Sequence, residues 1–165
     1  MTYIKNNFGS QKFLVQTNTG TTVAGVYTVA IKPGDFLVKV PGSNYVTKMA
    51  TLKPVVGTDY IVGIAENFSS ETTTLDGVVQ VRAIENKSVL LAADASITAN
   101  LATQALYNTN LLGKRVQLAY SNVTGQYTVL GVDAATNGFI IEYKDVLTDT
   151  TMVAVKLRRS AEYDI

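Results

Sequence analysis

Asp133 and Glu142 are the two carboxylates whose placement invites chemistry, because they lie within a segment, 127–143, that reads as a β-hairpin. Across such a hairpin they could approach each other. Two carboxylates at a set separation, one with a raised pKa, are the machinery of glycoside hydrolysis. The competing reading places both at solvated strand ends. The remaining acids of the chain's thirteen are scattered, and no Asp-x-Asp-x-Asp loop offers an oxygen cage for calcium. Histidine and cysteine are absent, as is tryptophan. That removes the side chain that titrates near neutrality and the readiest nucleophile and soft-metal ligand. No G-x-G-x-x-G, P-loop or G-x-S-x-G occurs. The expectation is a protein that is not an enzyme, with no catalytic residues, no cofactor and no metal.

Two further groups of residues could bind rather than react. Lys156-Leu157-Arg158-Arg159 is the densest basic patch, followed by Glu162 and Asp164. In a strand, Lys156 and Arg158 share one face and Arg159 takes the other. The patch reads either as an anchor for an acidic partner or as a solvated strand end neutralised by those acids. Tyr3, Phe8, Phe13 and Tyr163 lie near the chain ends, in segments too short to build a core of their own. Tyrosine is enriched at protein interfaces, so these aromatics are expected to bury against a neighbouring chain. An aromatic sugar platform is the alternative, and the missing tryptophan counts against it.

Such residues must be positioned by strands. The chain has 165 residues, 47% hydrophobic and only 16% charged, which suits a globular core and a hydroxyl- and amide-rich surface. A domain of this size buries roughly 70% of its unfolded surface and needs no disulfide. Fourteen basic against thirteen acidic residues leave a net charge of +1, too little clustered positive charge for nucleic acid to be the main partner. No run approaches the ~20 apolar residues of a membrane-spanning helix. Residues 1–7 lack the basic-then-apolar layout of a signal peptide. With zero cysteine, assembly in a reducing cytoplasm is expected. The sequons at Asn67, Asn86 and Asn122 are expected to stay unglycosylated.

Strands are expected at 12–16, 22–31, 36–40, 45–50, 60–65, 78–84, 88–93, 115–120, 127–132, 139–143 and 152–157. Lys32-Pro33-Gly34-Asp35 is a turn with a mechanism, since proline presets φ and glycine accepts a positive φ. Pro41-Gly42-Ser43-Asn44 joins a hairpin of 36–40 with 45–50. Residues 66–76 have no hydrophobic period and read as a long contact loop. Asn137-Gly138 is the strongest hairpin signal in the chain. The Ala-rich stretch 94–106 is the one credible helix, capped by Asp94 or Ser96. Many short strands at 8–12-residue spacing imply an all-β fold, a compact sandwich or barrel with one short helix or irregular insert and an extended N-terminal arm. The expected organisation is an arm with first strands at 1–30, a β domain at 31–160 and a tail at 161–165.

Lys32-Pro33-Gly34-Asp35-Phe36-Leu37-Val38, Ile61-Val62-Gly63-Ile64-Ala65 and Asp76-Gly77-Val78-Val79-Gln80-Val81 together resemble tailed-bacteriophage capsid decoration (auxiliary head) proteins. The resemblance covers roughly residues 30–85, and Met152–Arg158 is similar to their closing strand. The Asn- and Thr-rich insert at 94–112 and the long N-terminus depart from the simplest members. The resemblance implies a structural virion protein on the capsid exterior. It would bind the major capsid protein and stabilise contacts between capsomers, as a homo-oligomer, often a trimer, or beside neighbouring copies, with no nucleic acid and no membrane as partner. Residues 1–16 would then be free to add a strand to a neighbour's sheet edge. A head-fibre base or a carbohydrate-binding β module on the virion surface is the alternative.

Overall fold

The computed structural model describes residues 10–16, 31–49, 54–84, 87–121 and 124–158. The chain is all-β with one short helix, as expected, and it forms two compact units. Of the described residues, 10–16, 31–49 and 60–84 belong to the first unit, and 54–59, 87–121 and 124–158 to the second. The range 31–160, read above as one β domain, is thus shared between them. Tyr3, Phe8, Arg159, Tyr163, Asn86, Asn122 and most of the expected strand 22–31 lie outside the described residues.

The first unit is a closed barrel of β1 (Ser10–Val15), β2 (Phe36–Lys39), β3 (Tyr45–Lys48), β4 (Ile61–Ala65) and β5 (Gly77–Arg82), in the order β1-β3-β2-β4-β5. Alternation sets the faces: Val79 and Val81 point inward on β5 while Val78 and Arg82 are exposed. The core gathers Phe13, Val15, Ile31, Leu37, Val46, Val62, Ala65, Val79 and Val81. The β2–β3 hairpin forms as its turn predicts, with Val38 opposite Thr47 and Gly42 at φ +71°. Gly63 sits at φ +148° opposite the β2 irregularity, and a Cβ there would lie 2.2 Å from the Arg82 carbonyl oxygen. Only glycine lets β4 and β5 close at that point. β1 runs parallel to β3 and antiparallel to β5, so both its edges are paired. Residues 10–15 are therefore barrel wall, and strand addition to a neighbour is closed to them.

The second unit is built on a six-stranded sheet of β6 (Ser88–Ala93), β7 (Arg115–Val116), β8 (Leu118–Ser121), β9 (Gln126–Val129), β10 (Phe139–Ile141) and β11 (Met152–Leu157). Its order is β7-β10-β11-β6-β9-β8, with β6 and β9 parallel and the other pairs antiparallel. The expected strand 115–120 breaks at Gln117, and its two halves serve opposite ends of the sheet. Val116 and Leu118 are two residues apart, so their Cα atoms lie within about 7 Å. The two edges must therefore approach each other, and the sheet curls toward a barrel. The Gln117 carbonyl accepts from the Leu130 amide at 3.0 Å, which pins the break.

Two expectations are corrected here. The helix expected over 94–106 is a 3₁₀ turn, Thr98–Leu101, followed by α1 (Gln104–Asn110). Asp94 does not cap a helix; its Oδ1 accepts from the Ser96 amide at 2.9 Å and holds a turn. The helix starts one cap later, where the Thr103 hydroxyl accepts from the Leu106 amide at 3.2 Å. The Asn137-Gly138 hairpin also does not form. β9 pairs with β8 and β6, whereas β10 pairs with β7 and β11. Asn137 is instead buried, and its Nδ2 donates to the carbonyls of Arg115 (2.9 Å) and Val132 (2.8 Å). β9 finds its antiparallel partner more locally, across Thr124-Gly125, where Gly125 has φ +67°.

Candidate interaction loops

Asp133 and Glu142 are each bound to a different partner. Asp133 is held by Arg115, whose Nε is 3.0 Å from Oδ1. Hydrogen bonds from Arg115 keep the Asp133 carboxyl below the usual carboxylate range. Glu142 faces Ser88 and lies 4.0 Å from the Lys156 ammonium. Each acid answers to its own base, and no shared proton links them. Among the described residues no group of three or more His, Cys, Asp or Glu could hold a metal ion, and no helix is long and apolar enough to cross a membrane.

The basic patch divides in the same way. Lys156 lies beside Glu142, and Arg158 clamps a turn, its Nη1 donating to the carbonyls of Ala135 (2.8 Å) and Asn137 (2.6 Å). That guanidinium is engaged within its own unit. Phe13 is 4% exposed and lies in the barrel core, which accounts for its apolar surface without a neighbour.

The Pro-Gly-Asp turn has a structural function. Asp35 Oδ2 accepts from the Lys32 amide at 3.0 Å, and Oδ1 lies 3.3 Å from the ammonium of Lys48. Both partners are buried, at 1% and 5% side-chain exposure. A shallow depression of about 500 Å³ lies at the tip of the β2–β3 hairpin, against Lys39, Pro41, Ser43, Asn44 and Tyr60. Ser43 there is already engaged by its own turn, donating to the Val40 carbonyl and accepting from the Tyr45 amide.

Among the described residues two loops each display a pair of large apolar side chains, while Val132, 72% exposed, and Leu90, 54% exposed, stand elsewhere. In the first unit, loop 66–76 displays Phe68 and Leu75, 69% and 67% exposed. It is braced at each step. The Gln80 amide donates to Asn67 Oδ1 (2.8 Å), Ser69 exchanges bonds with Ile31, and the Val78 amide donates to the Ser70 hydroxyl (3.0 Å). Thr72 Oγ1 accepts from the Leu75 amide (3.0 Å), and Tyr45 donates its hydroxyl to Asp76 (2.5 Å). Gly77 allows the close pass, since a Cβ there would meet the Glu71 amide nitrogen at 2.0 Å. Beside the loop, the Ser10 hydroxyl and then Arg82 hold the Glu66 carboxyl below its ordinary range.

In the second unit, loop 142–151 joins β10 to β11 and displays Tyr143 and Leu147, 64% and 87% exposed. Its hub is Lys144, a buried ammonium that donates to the carbonyls of Asp149 and, at 2.8 Å, Met152. Gln104 of α1 clamps the loop from outside: its Nε2 donates to the Lys144 carbonyl (3.0 Å) and its Oε1 accepts from the Val146 amide (2.9 Å). Asp145 Oδ1 accepts from the Leu147 amide at 3.0 Å, and Asp149 Oδ1 from the Thr151 amide and hydroxyl at 2.7 and 2.6 Å. The Thr151 bonds are the main reason the Asp149 carboxyl sits below its ordinary value. Val146, 1% exposed, turns inward and thereby turns Leu147 out.

Both loops hold large apolar side chains in water on a backbone that is itself hydrogen-bonded in place, which makes them the candidate interaction surfaces among the described residues. Loop 66–76 was legible in the sequence as a long surface loop. Loop 142–151 was not, because Tyr143 read as the end of a strand, although Leu147 amid Asp and Thr was its available signal. Comparison with known protein families, with curated proteins and with solved structures finds no match to this chain.

Proposed function

We propose that this chain is an auxiliary structural protein of a tailed-phage capsid, bound to the outer surface of the shell, where it stabilises contacts between major capsid protein capsomers. Three things support the reading: the resemblance carried by residues 32–38, 61–65, 76–81 and 152–158, an all-β chain, and the display of large apolar side chains on braced loops. The last carries it. Leu147 stands 87% exposed on a loop held by hydrogen bonds from Gln104, Asp145 and Asp149.

A decoration protein gains from such loops for a physical reason. Association must offset the ordering of interface side chains and loops, and a loop that is hydrogen-bonded beforehand avoids most of that cost. Burying a leucine of this kind stabilises by about 1.5–3 kcal/mol. Several such anchors within an interface of about 800 Å² per partner suffice for specific attachment. Repeated over a shell, that adhesion must be undone before capsomers can separate. On the shell the chain acts as a homo-oligomer or beside its own copies, so that one loop can reach each of two capsomers.

The test is co-sedimentation with shells of the phage that encodes the chain, prepared without it. Saturable retention at a fixed ratio to the major capsid protein is expected, together with a higher temperature of shell rupture. Shells that neither retain the chain nor gain stability from it would remove this reading.

A further inference from the structure

The two exposed apolar side chains of loop 142–151 are set among carboxylates. Glu142, Asp145 and Asp149 lie on the loop, and its single cation is Lys144. Lys144 is buried with its ammonium on two backbone carbonyls, and its charge acts on the Asp149 carboxyl. Asp145 is exposed, and neither it nor Asp149 is ion-paired among the described residues. Both carboxylates nevertheless have fixed positions, because each is bonded to its own loop's backbone. The loop therefore carries the exposed Leu147 and Tyr143 together with two carboxylates fixed by its own backbone.

We infer that loop 142–151 is a docking knob for a protein surface carrying an apolar pocket rimmed by lysine or arginine, with Leu147 as the inserted side chain. This rests on the capsid reading and names the chemistry of the shell site it requires. A fixed acidic rim steers approach to a basic surface and rejects acidic ones, while the apolar tip supplies the contact that holds. Loop 66–76 also carries Glu66, Glu71 and Asp76 beside Phe68 and Leu75, but Glu66 is paired with Arg82 and Asp76 accepts the Tyr45 hydroxyl, so it offers no second free acidic rim. The carboxylates of loop 142–151 oppose insertion into an anionic lipid surface, since carboxylates and lipid phosphates repel.

Binding to the phage's own shells, prepared without the chain, separates the claims. The set comprises the wild-type chain, Leu147→Ser, and the double variant Asp145→Asn with Asp149→Asn, in which each amide oxygen still accepts its loop bond. Leu147→Ser is expected to weaken binding about tenfold or more with no change in thermal midpoint. The double amide variant is expected to associate several-fold more slowly at low salt and to lose most of the wild type's salt dependence. If wild-type chain binds and Leu147→Ser binds equally, this inference is overturned and the capsid function stands. An unchanged salt dependence in the amide variant overturns the basic rim. No binding by wild-type chain overturns both. Binding to neutral lipid vesicles that is abolished by Leu147→Ser would assign the knob to a membrane and likewise overturn the inference.

Discussion

Replacing Lys48 by methionine tests whether the Pro-Gly-Asp turn is locked by a buried charge. Asp35 and Lys48 approach to 3.3 Å at 1% and 5% exposure. Two unit charges at that distance attract by about 5 kcal/mol at an effective dielectric of about 20. Desolvating both ions consumes most of that gain, so the intact pair contributes little net stability. Removing one partner is different. Lys48→Met leaves the Asp35 carboxylate buried with the Lys32 amide still donating to it but no cation beside it. The expected cost is about 3–5 kcal/mol, a large share of the 5–15 kcal/mol that a typical domain possesses. Asp35→Asn keeps an acceptor for Lys32 while removing the charge. Combined with Lys48→Met it should cost less than the sum of the single changes by at least about 1 kcal/mol. Urea unfolding followed by tyrosine fluorescence, the chain having no tryptophan, gives the four stabilities. Hydrogen exchange in β2 and β3 locates the loss. A Lys48→Met cost below about 1 kcal/mol, or an additive cycle, would refute the argument that the turn is held by a coupled buried pair.

Further expectations follow from other close contacts. Gly63→Ala should destabilise the barrel by more than about 2 kcal/mol, because the new Cβ meets a backbone oxygen and the residue must hold a positive φ; a thermal midpoint equal to wild type would contradict this. Asn137→Ala strips a donor from two carbonyls and should cost about 2 kcal/mol, with exchange protection falling at β7 and β10, whereas a uniform loss across the second unit would point to another cause. Glu66, Asp94, Asp133 and Asp149 all have carboxyl pKa values lowered below 4.5 for Glu and 3.8 for Asp. Groups depressed in the folded state contribute stability that is present above those ordinary values and lost as pH falls through the lower folded ones. The urea midpoint should therefore hold from about pH 6 down to the ordinary carboxylate range and decline below it; a midpoint that rises on acidification would exclude this linkage.

The strand pattern was readable because its causes are local. Alternation in Gly77–Arg82, the proline and glycine at Lys32–Asp35, and the glycine of the β2–β3 turn each act within a few residues. The same locality explains the errors. Asn137-Gly138 carries the right turn chemistry, but the buried amide of Asn137 is worth more between two carbonyls than in a hairpin turn. Residues 115–120 look like one strand, and only the sheet's closure breaks them at Gln117. For the candidate surface, the sequence showed a long loop at 66–76. It could not show that Lys144 is buried and tied to the carbonyls of Asp149 and Met152, which leaves only the loop's acids among its charged groups in solvent.

By itself the sequence determined where the chain extends and where it turns, because side-chain alternation, proline and glycine constrain each residue's own φ and ψ. The tertiary structure decided the partners. β1 closes the barrel against β3 and β5, Lys48 meets Asp35, and Lys144 leaves solvent to satisfy two carbonyls. Strands of similar alternation are nearly interchangeable as local partners. The choice among them is made only when burial, hydrogen bonding and charge are satisfied together across residues far apart in the chain.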